Sequence, residues 1–196
     1  MTSIQTTPTT CTNASIRCSA AASTATSLYE AISTAYQEAL EQLGAPLPDL
    51  VVVFVSASYG DEIRAAMESL NEIAPARYLL GTTAEAVLAN NEEYESEPAI
   101  SIWMAQLPNA EITPLTLEYS QTADGGTFLG WPEDLVWPTD ATMLLLADPF
   151  SFPVDGLIAE GIGVCAGVKD RHGWLRRKPI AGQCCLRNVH CCKVVS

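Results

Sequence analysis

A continuous apolar run from Leu50 to Val55 constrains the fold of this chain more than any other feature. The run consists of leucine, β-branched and aromatic residues, so it predicts a strand that is covered on both faces and lies inside a sheet. Apolar residues at helical spacing follow between Ile63 and Ile73, and another apolar run covers residues 78–80. A strand, a helix and a strand in succession predict a crossover that joins two parallel strands.

Helix and strand patterns continue on both sides of this unit. Residues 28–43 carry apolar side chains every three or four positions and end at Gly44, which predicts an amphipathic helix. A third helix is predicted to begin near Val154. Strand character is found in three further segments, residues 99–107, 112–119 and 142–147.

The turn residues Pro108 and Asn109 predict that the first two of these strands form a hairpin. Pro114 lacks a backbone donor, which favours an edge position for the second strand of the hairpin, and the glutamates of residues 92–97 predict a solvated acidic loop before it. The predicted fold class is therefore α/β, with a mixed, largely parallel sheet that is flanked by helices, has a hairpin toward one edge and is incomplete at the C-terminus.

Charge and cysteine content divide the chain into three segments. Residues 1–24 are rich in Ser, Thr and Ala and are expected to be a disordered lead-in. Residues 1–160 contain 22 acidic and three basic residues, which gives −19, whereas residues 161–196 contain one acidic and seven basic residues, which gives +6. Five of the seven cysteines lie in that basic segment. We therefore predict a domain over residues 25–160 and an atypical basic, cysteine-rich tail over residues 161–196.

The same composition argues against several classes of partner. The acidic body repels phosphate groups, so we expect neither nucleic acid nor an anionic membrane surface as a partner. The apolar runs are too short to span a membrane, and the first residues lack the basic start and apolar block of a secretory leader. The predicted domain of residues 25–160 contains no cysteine, which is compatible with a reducing compartment. We expect a cytoplasmic location.

Known catalytic and metal-binding patterns are absent from the sequence. Ser56 and Ser58 follow the central strand, but no Gly-x-Ser-x-Gly motif surrounds them and the first histidine is His172. The glycines do not form a phosphate-binding fingerprint. Cys184 and Cys185 are adjacent, as are Cys191 and Cys192, so both pairs lack the spacer of structural zinc sites. We therefore expect no enzymatic activity, no metal and no cofactor.

Four segments of the chain resemble the N-terminal domain of the FIST family. They are Phe54-Val55-Ser56, Gly81-Thr82-Thr83-Ala84-Glu85, the stretch from Glu97 to Trp103 with Leu107-Pro108, and the stretch from Leu144 to Pro153. This resemblance implies a non-enzymatic sensory domain of signal transduction that binds a small molecule, such as an amino acid. It also implies that the signal passes to a partner protein or to a FIST C-terminal domain, which the family carries beyond the point where the tail begins here. Either a genuine tail or a frameshift accounts for residues 161–196.

Polar residues that follow two of the predicted strands suggest a site for such a ligand. Glu85 and Asp148 each follow a strand, and ligands of open α/β sheets tend to bind beyond the carboxyl ends of strands. With Thr82 and Thr83 they would offer acceptors and hydroxyls to a ligand amine. The alternative is that Asp148 caps the turn after it and that Glu85 is either a cap or faces water. Two other functions remain open, a hydrolase or transferase that uses Glu85 and Asp148, and a structural remnant without activity.

Overall fold

The computed structural model describes residues 15–95, 97–123, 125–130 and 142–158, together with the backbone of residues 189–195. None of the helices in these ranges is long and apolar enough to cross a membrane. The helices are α1 (Leu28–Leu43), α2 (Glu62–Glu68) and α3 (Leu70–Ile73), with a short 3₁₀ helix at Ala57–Tyr59 and a helical segment at 154–158. The strands are β1 (Arg17–Ser23), β2 (Leu50–Ser56), β3 (Tyr78–Ala84), β4 (Ala86–Ala89), β5 (Glu92–Glu95), β6 (Ile100–Gln106), β7 (Glu111–Thr122), β8 (Gly125–Leu129), β9 (Thr142–Leu146) and β10 (Val189–Val195).

The predicted strand, helix and strand unit is confirmed. Strand β2 lies inside a four-stranded sheet of order β1-β6-β2-β3, and it pairs in parallel with β3 from Leu50 opposite Tyr78 to Ser56 opposite Ala84. The connecting helix is interrupted at Ser69, which separates α2 from α3. Helix α1 begins and ends where the sequence predicts, and Gly44 closes it in the left-handed conformation at φ 64°. The α/β class is therefore correct.

The prediction that the sheet is largely parallel is wrong. Strand β6 runs antiparallel to both β2 and β1, and only the β2–β3 pair of the first sheet is parallel. A parallel return needs a long crossover, usually a helix, between the two strands. Here the chain between β3 and β6 forms the antiparallel hairpin β4–β5 instead. That hairpin also replaces the acidic loop predicted for residues 92–97, because Glu92–Glu95 is a strand.

The predicted hairpin of residues 99–107 and 112–119 is also wrong. Strand β6 is flanked by β1 and β2 in the first sheet, whereas β7 belongs to a second, antiparallel sheet of order β8-β7-β10-β9. Residues 107–110 therefore carry the chain from one sheet to the other. Pro114 lies opposite Cys192 of β10 in the first half of β7, while β8 pairs only with the second half, from Glu118 onward.

Two segments outside the predicted domain of residues 25–160 contribute strands. Residues 17–23 were expected to be disordered, but they form β1, which pairs with β6 from Arg17 opposite Gln106 to Ser23 opposite Ile100. In the predicted tail, β10 pairs with both β7 and β9. The rest of the expected lead-in, residues 1–14, and most of the tail, residues 159–188, lie outside the described residues.

The core forms layers on both sides of the first sheet. The odd-numbered residues of β2 face α1, α2 and α3, and the even-numbered ones face the second sheet, as strand alternation requires. The largest cluster joins the helices to the sheet through fully buried side chains that include Tyr36, Val53 and Ile102. A smaller cluster, with Val52 and Leu146, joins the two sheets.

Candidate functional site

Thr82 and Thr83 are neighbours on β3, and their side chains lie on opposite faces of the first sheet. Thr82 lies opposite Phe54 and Thr83 opposite Val55, and these two β2 residues belong to different core clusters. Both threonines are buried, and the Thr82 hydroxyl donates to the backbone carbonyl of Thr83 at 3.2 Å. Their side chains therefore do not line one common pocket.

Glu85 and Asp148 follow strands of different sheets. Glu85 comes directly after β3 in the first sheet, and its side chain is exposed. Asp148 comes two residues after the end of β9 in the second sheet. Contrary to the prediction from the sequence, strand pairing does not bring the two carboxylates to one sheet edge.

The Asp148 carboxylate holds the turn that follows it. It accepts hydrogen bonds from the backbone N–H of Phe150 at 3.0 Å and from the hydroxyl of Ser151 at 2.7 Å. The backbone carbonyl of Asp148 also accepts from the N–H of Phe152 at 3.0 Å. These contacts agree with the alternative interpretation, in which Asp148 caps the turn after it. The Phe150 N–H, and after it the Ser151 hydroxyl, lower the pKa of Asp148 from its ordinary value.

This lowered pKa predicts a pH-dependent contribution to stability. Because the folded-state pKa lies below the unfolded one, the carboxylate stabilises the fold above the ordinary carboxyl pKa of about 4. The contribution is lost as the pH falls through the folded-state pKa. We expect Asp148→Asn to be less stable than the wild type at pH 7, and the difference to shrink toward pH 3, in urea unfolding at stepped pH values. Asp155→Asn, which removes an exposed carboxylate from the same region, is the control. A difference that stays constant down to pH 3 would contradict the charge-based cap.

Ser56 also has a structural role. Its side chain is buried, donates to the backbone carbonyl of Glu97 at 3.0 Å and accepts from the N–H of Ser58 at 3.2 Å. The serine thus caps the 3₁₀ helix after β2 and fixes the segment that leads into β6.

A cleft of about 300 Å³ opens at the other end of β2 and β3, where these strands begin. Its walls come from the starts of the two strands and from the segment that joins β6 to β7. The lining residues are Asp49, Arg77, Tyr78, Asn109, Ala110, Glu111 and Ile112. A volume of this order lies at the lower end of the range for small-molecule pockets.

Asp49 anchors one wall of this cleft. It is 6% exposed, and one carboxylate oxygen accepts from Gln106 Nε2 at 2.5 Å and from the backbone N–H of Leu107 at 2.8 Å. The other oxygen accepts from Arg77 Nη1 at 3.1 Å. One buried carboxylate thus ties the start of β2 to the end of β6 and to the residue before β3.

Arg77 contributes a positive charge to the lining of the cleft. Its side chain is 66% exposed, although the guanidinium forms an ion pair with Asp49. The backbone of Arg77 is fixed too, because its N–H donates to the carbonyl of Pro48 at 3.1 Å. Glu111 and Asn109 are exposed on the facing segment, where Asn109 adopts a left-handed conformation at φ 68°. The cleft therefore presents one oriented cation together with carboxylate and amide groups.

Sequence patterns did not identify this cleft. Arg77 is one of only three basic residues in residues 1–160, which is the one local signal that could have drawn attention to it. Its contact with Asp49 spans 28 positions, and the contact of Asp49 with Gln106 spans 57, so no short motif contains them.

A second, smaller cleft of about 240 Å³ lies beside the turn that Asp148 holds. It is lined by Tyr119 and by residues 149–153. Phe150 is 85% exposed, while Phe152 is buried and its ring centroid lies 5.4 Å from that of Phe128. The turn is thus anchored by one phenylalanine and exposes another.

Comparison with known proteins places the chain in a family. Residues 49–167 match the model of the FIST N domain. The uncharacterised protein Rv0628c of Mycobacterium tuberculosis is 32% identical over 136 residues, which cover 69% of this chain and 34% of that protein. The uncharacterised protein Mb0898c of Mycobacterium bovis is 29% identical over 121 residues, which cover 62% of this chain and 30% of that protein.

The matched region spans about a third of the length of these relatives. The FIST N match begins at Asp49, directly before β2, and it includes Arg77, Glu85, Glu111 and the turn at Asp148. Most of the first sheet and the described residues of the second, β10 excepted, therefore fall inside it. Since the match covers more than half of the chain, this protein belongs to the FIST family, whose domains serve as sensory domains of signal transduction.

Proposed function

We propose that this chain is a cytoplasmic sensory module that binds a small molecule, such as an amino acid, and passes the signal to a partner. The observation that carries the proposal is the FIST N match over residues 49–167, since FIST domains are sensory rather than catalytic. The partner is either a separate signalling protein or a FIST C-terminal domain. The greater length of the relatives supports a second domain as the receiver.

Two observations in the fold support the binding of a small molecule. The cleft at Arg77 has a suitable volume and combines charged and amide groups. In addition, the elements around it are fixed by a buried carboxylate, so a ligand there would contact groups that are already in place. The four residues Thr82, Thr83, Glu85 and Asp148 stay a separate proposal for the site, with the two threonines on opposite faces of β3.

A thermal-shift screen of the full chain against the twenty amino acids and common metabolites tests this function. A ligand that binds only the folded state at 100 times its Kd adds about 2.7 kcal/mol of stability. For a chain of this size we expect the melting temperature to rise by roughly 5–10 °C. Loss of the shift in Glu85→Ala would favour the four-residue site.

Two outcomes would count against a sensor. A cooperative melt that no compound shifts would contradict small-ligand binding. Formation of a product from one of the compounds, abolished by Glu85→Gln, would instead support the hydrolase or transferase alternative.

A further inference from the structure

We propose that the ligand site is the cleft between Arg77 and Glu111, and that it recognises a small zwitterion through its carboxylate and its ammonium group. This inference rests on the proposed function and deepens it, because it names both the site and the charge pattern of the ligand. The ligand carboxylate would bind Arg77, and the ligand ammonium group would bind the side of the cleft that carries Glu111 and Asn109.

Arg77 has the geometry that recognition of a carboxylate requires. A guanidinium has five N–H donors in a planar fork, and it binds a carboxylate through two of them. Asp49 accepts from Nη1, while two thirds of the side chain is exposed. The ion pair thus orients the fork and leaves donors at the cleft for a ligand. A lysine at this position would supply the charge without the fork.

Asp49 is not available to the ligand, and Glu111 is. Asp49 is buried and already accepts three hydrogen bonds, which hold its two oxygens inside the protein. Glu111 is exposed at the first residue of β7 and lines the same cleft. The cleft therefore offers one cation and one accessible carboxylate, which complement a ligand that carries both signs of charge.

The charge of the whole chain favours a zwitterion over an anion. The formal net charge is −13, and residues 1–160 carry −19. A field of this sign repels a ligand with net negative charge and leaves a ligand of zero net charge unaffected at long range. A dicarboxylate would gain the contact with Arg77, but it would bring its second carboxylate toward Glu111. We therefore expect a neutral zwitterion to bind better than a dicarboxylate of similar size.

Isothermal titration of the full chain tests this proposal, with the amino acid that gives the largest thermal shift as the probe. Its decarboxylated amine and its deaminated acid are titrated beside it. Arg77→Gln is expected to weaken the binding of the amino acid by about 10-fold to 100-fold, since it removes a charged, forked contact. Arg77→Lys should give an intermediate loss. Glu111→Gln should weaken the binding of the amino acid but not the binding of the deaminated acid.

Arg64→Gln is the matched control, because it removes the same charge from an exposed position on α2. It should change the affinity by less than about twofold, as expected for a screened charge outside the site. Arg77→Gln should also melt close to the wild type without ligand, because the arginine side chain is 66% exposed. This comparison separates a lost contact from a lost fold.

The possible results distinguish failure of the site from failure of the function. If the wild type binds a compound and Arg77→Gln binds it equally well, the cleft is not the site, although the sensory function stands. Tighter binding of the deaminated acid than of the amino acid would contradict the proposal that the cleft recognises a zwitterion. If no compound binds the wild type, the proposed function and this inference both fail.

Discussion

Removal of residues 1–24 is expected to destabilise the protein by roughly 3–5 kcal/mol, because it removes β1 from the first sheet. Strand β1 pairs with β6 along seven positions, and cross-strand pairs contribute about 0.2–1 kcal/mol each. The deletion also removes the buried hydroxyl of Ser19, which donates to the carbonyl of Ala39 at 2.7 Å, and the buried side chain of Ala21. Urea unfolding of the shortened chain and the full chain measures the difference.

A chain that begins at residue 15 provides the matched control, since it keeps β1 and every contact of β1 described above. It is expected to unfold at nearly the same urea concentration as the full chain. Hydrogen exchange at β6 gives a second measurement, because β6 becomes an edge strand when β1 is removed. Equal stability of the chains that begin at residues 15 and 25 would contradict the pairing of β1 with β6.

Strand β1 shows why composition misjudged this part of the chain. Its sequence, from Arg17 to Ser23, contains mainly Ala and Ser, which have little strand preference and resemble the low-complexity residues before them. What makes it a strand is the edge of β6, which lies about 80 positions further along the chain, beyond the reach of any local pattern. Only Ser19 and Ala21 are buried, so the apolar signal of β1 is also weak.

Local patterns did identify the elements whose partners are close in sequence. The predictions of a strand at Leu50 to Val55 and of a helix over residues 28–43 are confirmed. The predicted parallel pairing of β2 with β3 is confirmed too. On β7 the exposed polar positions Thr116 and Glu118 alternate with the buried leucines Leu115 and Leu117. The pattern specifies which face of a strand is buried, but it does not specify which strand lies beside it. For this reason β6 and β7 were assigned to one hairpin although they belong to different sheets.

The same distinction applies to the candidate site. That Thr82 and Thr83 lie on opposite faces follows from the two-residue period of a strand and could have been predicted once β3 was extended to Ala84. The turn at Asp148 was visible as a capping alternative, since an aspartate before a proline and a serine is typical of turns. The cleft at Arg77 depends on long-range contacts, so only the three-dimensional structure brings Arg77 and Glu111 together.

Asp49 and Arg77 form an ion pair, but we expect the two residues to contribute unequally to the free energy of unfolding. Asp49→Ala should lower the free energy of unfolding by roughly 3–5 kcal/mol, because it leaves the Leu107 N–H and the Gln106 amide without their charged acceptor. Arg77→Gln should cost less than about 1 kcal/mol, because the arginine side chain is 66% exposed and its charge is screened by water. Urea midpoints at an unchanged denaturant slope measure both losses.

Glu111→Gln, which changes an exposed carboxylate of the same cleft, is the control and should leave stability nearly unchanged. Equal losses in Asp49→Ala and Arg77→Gln would mean that the ion pair itself, rather than the bonds to Gln106 and Leu107, stabilises this region. Unequal losses have a functional consequence. The Asp49 carboxylate, which joins β2 to β6, would be needed for stability, whereas Arg77 would not. The Arg77 guanidinium could then bind a ligand without weakening the protein.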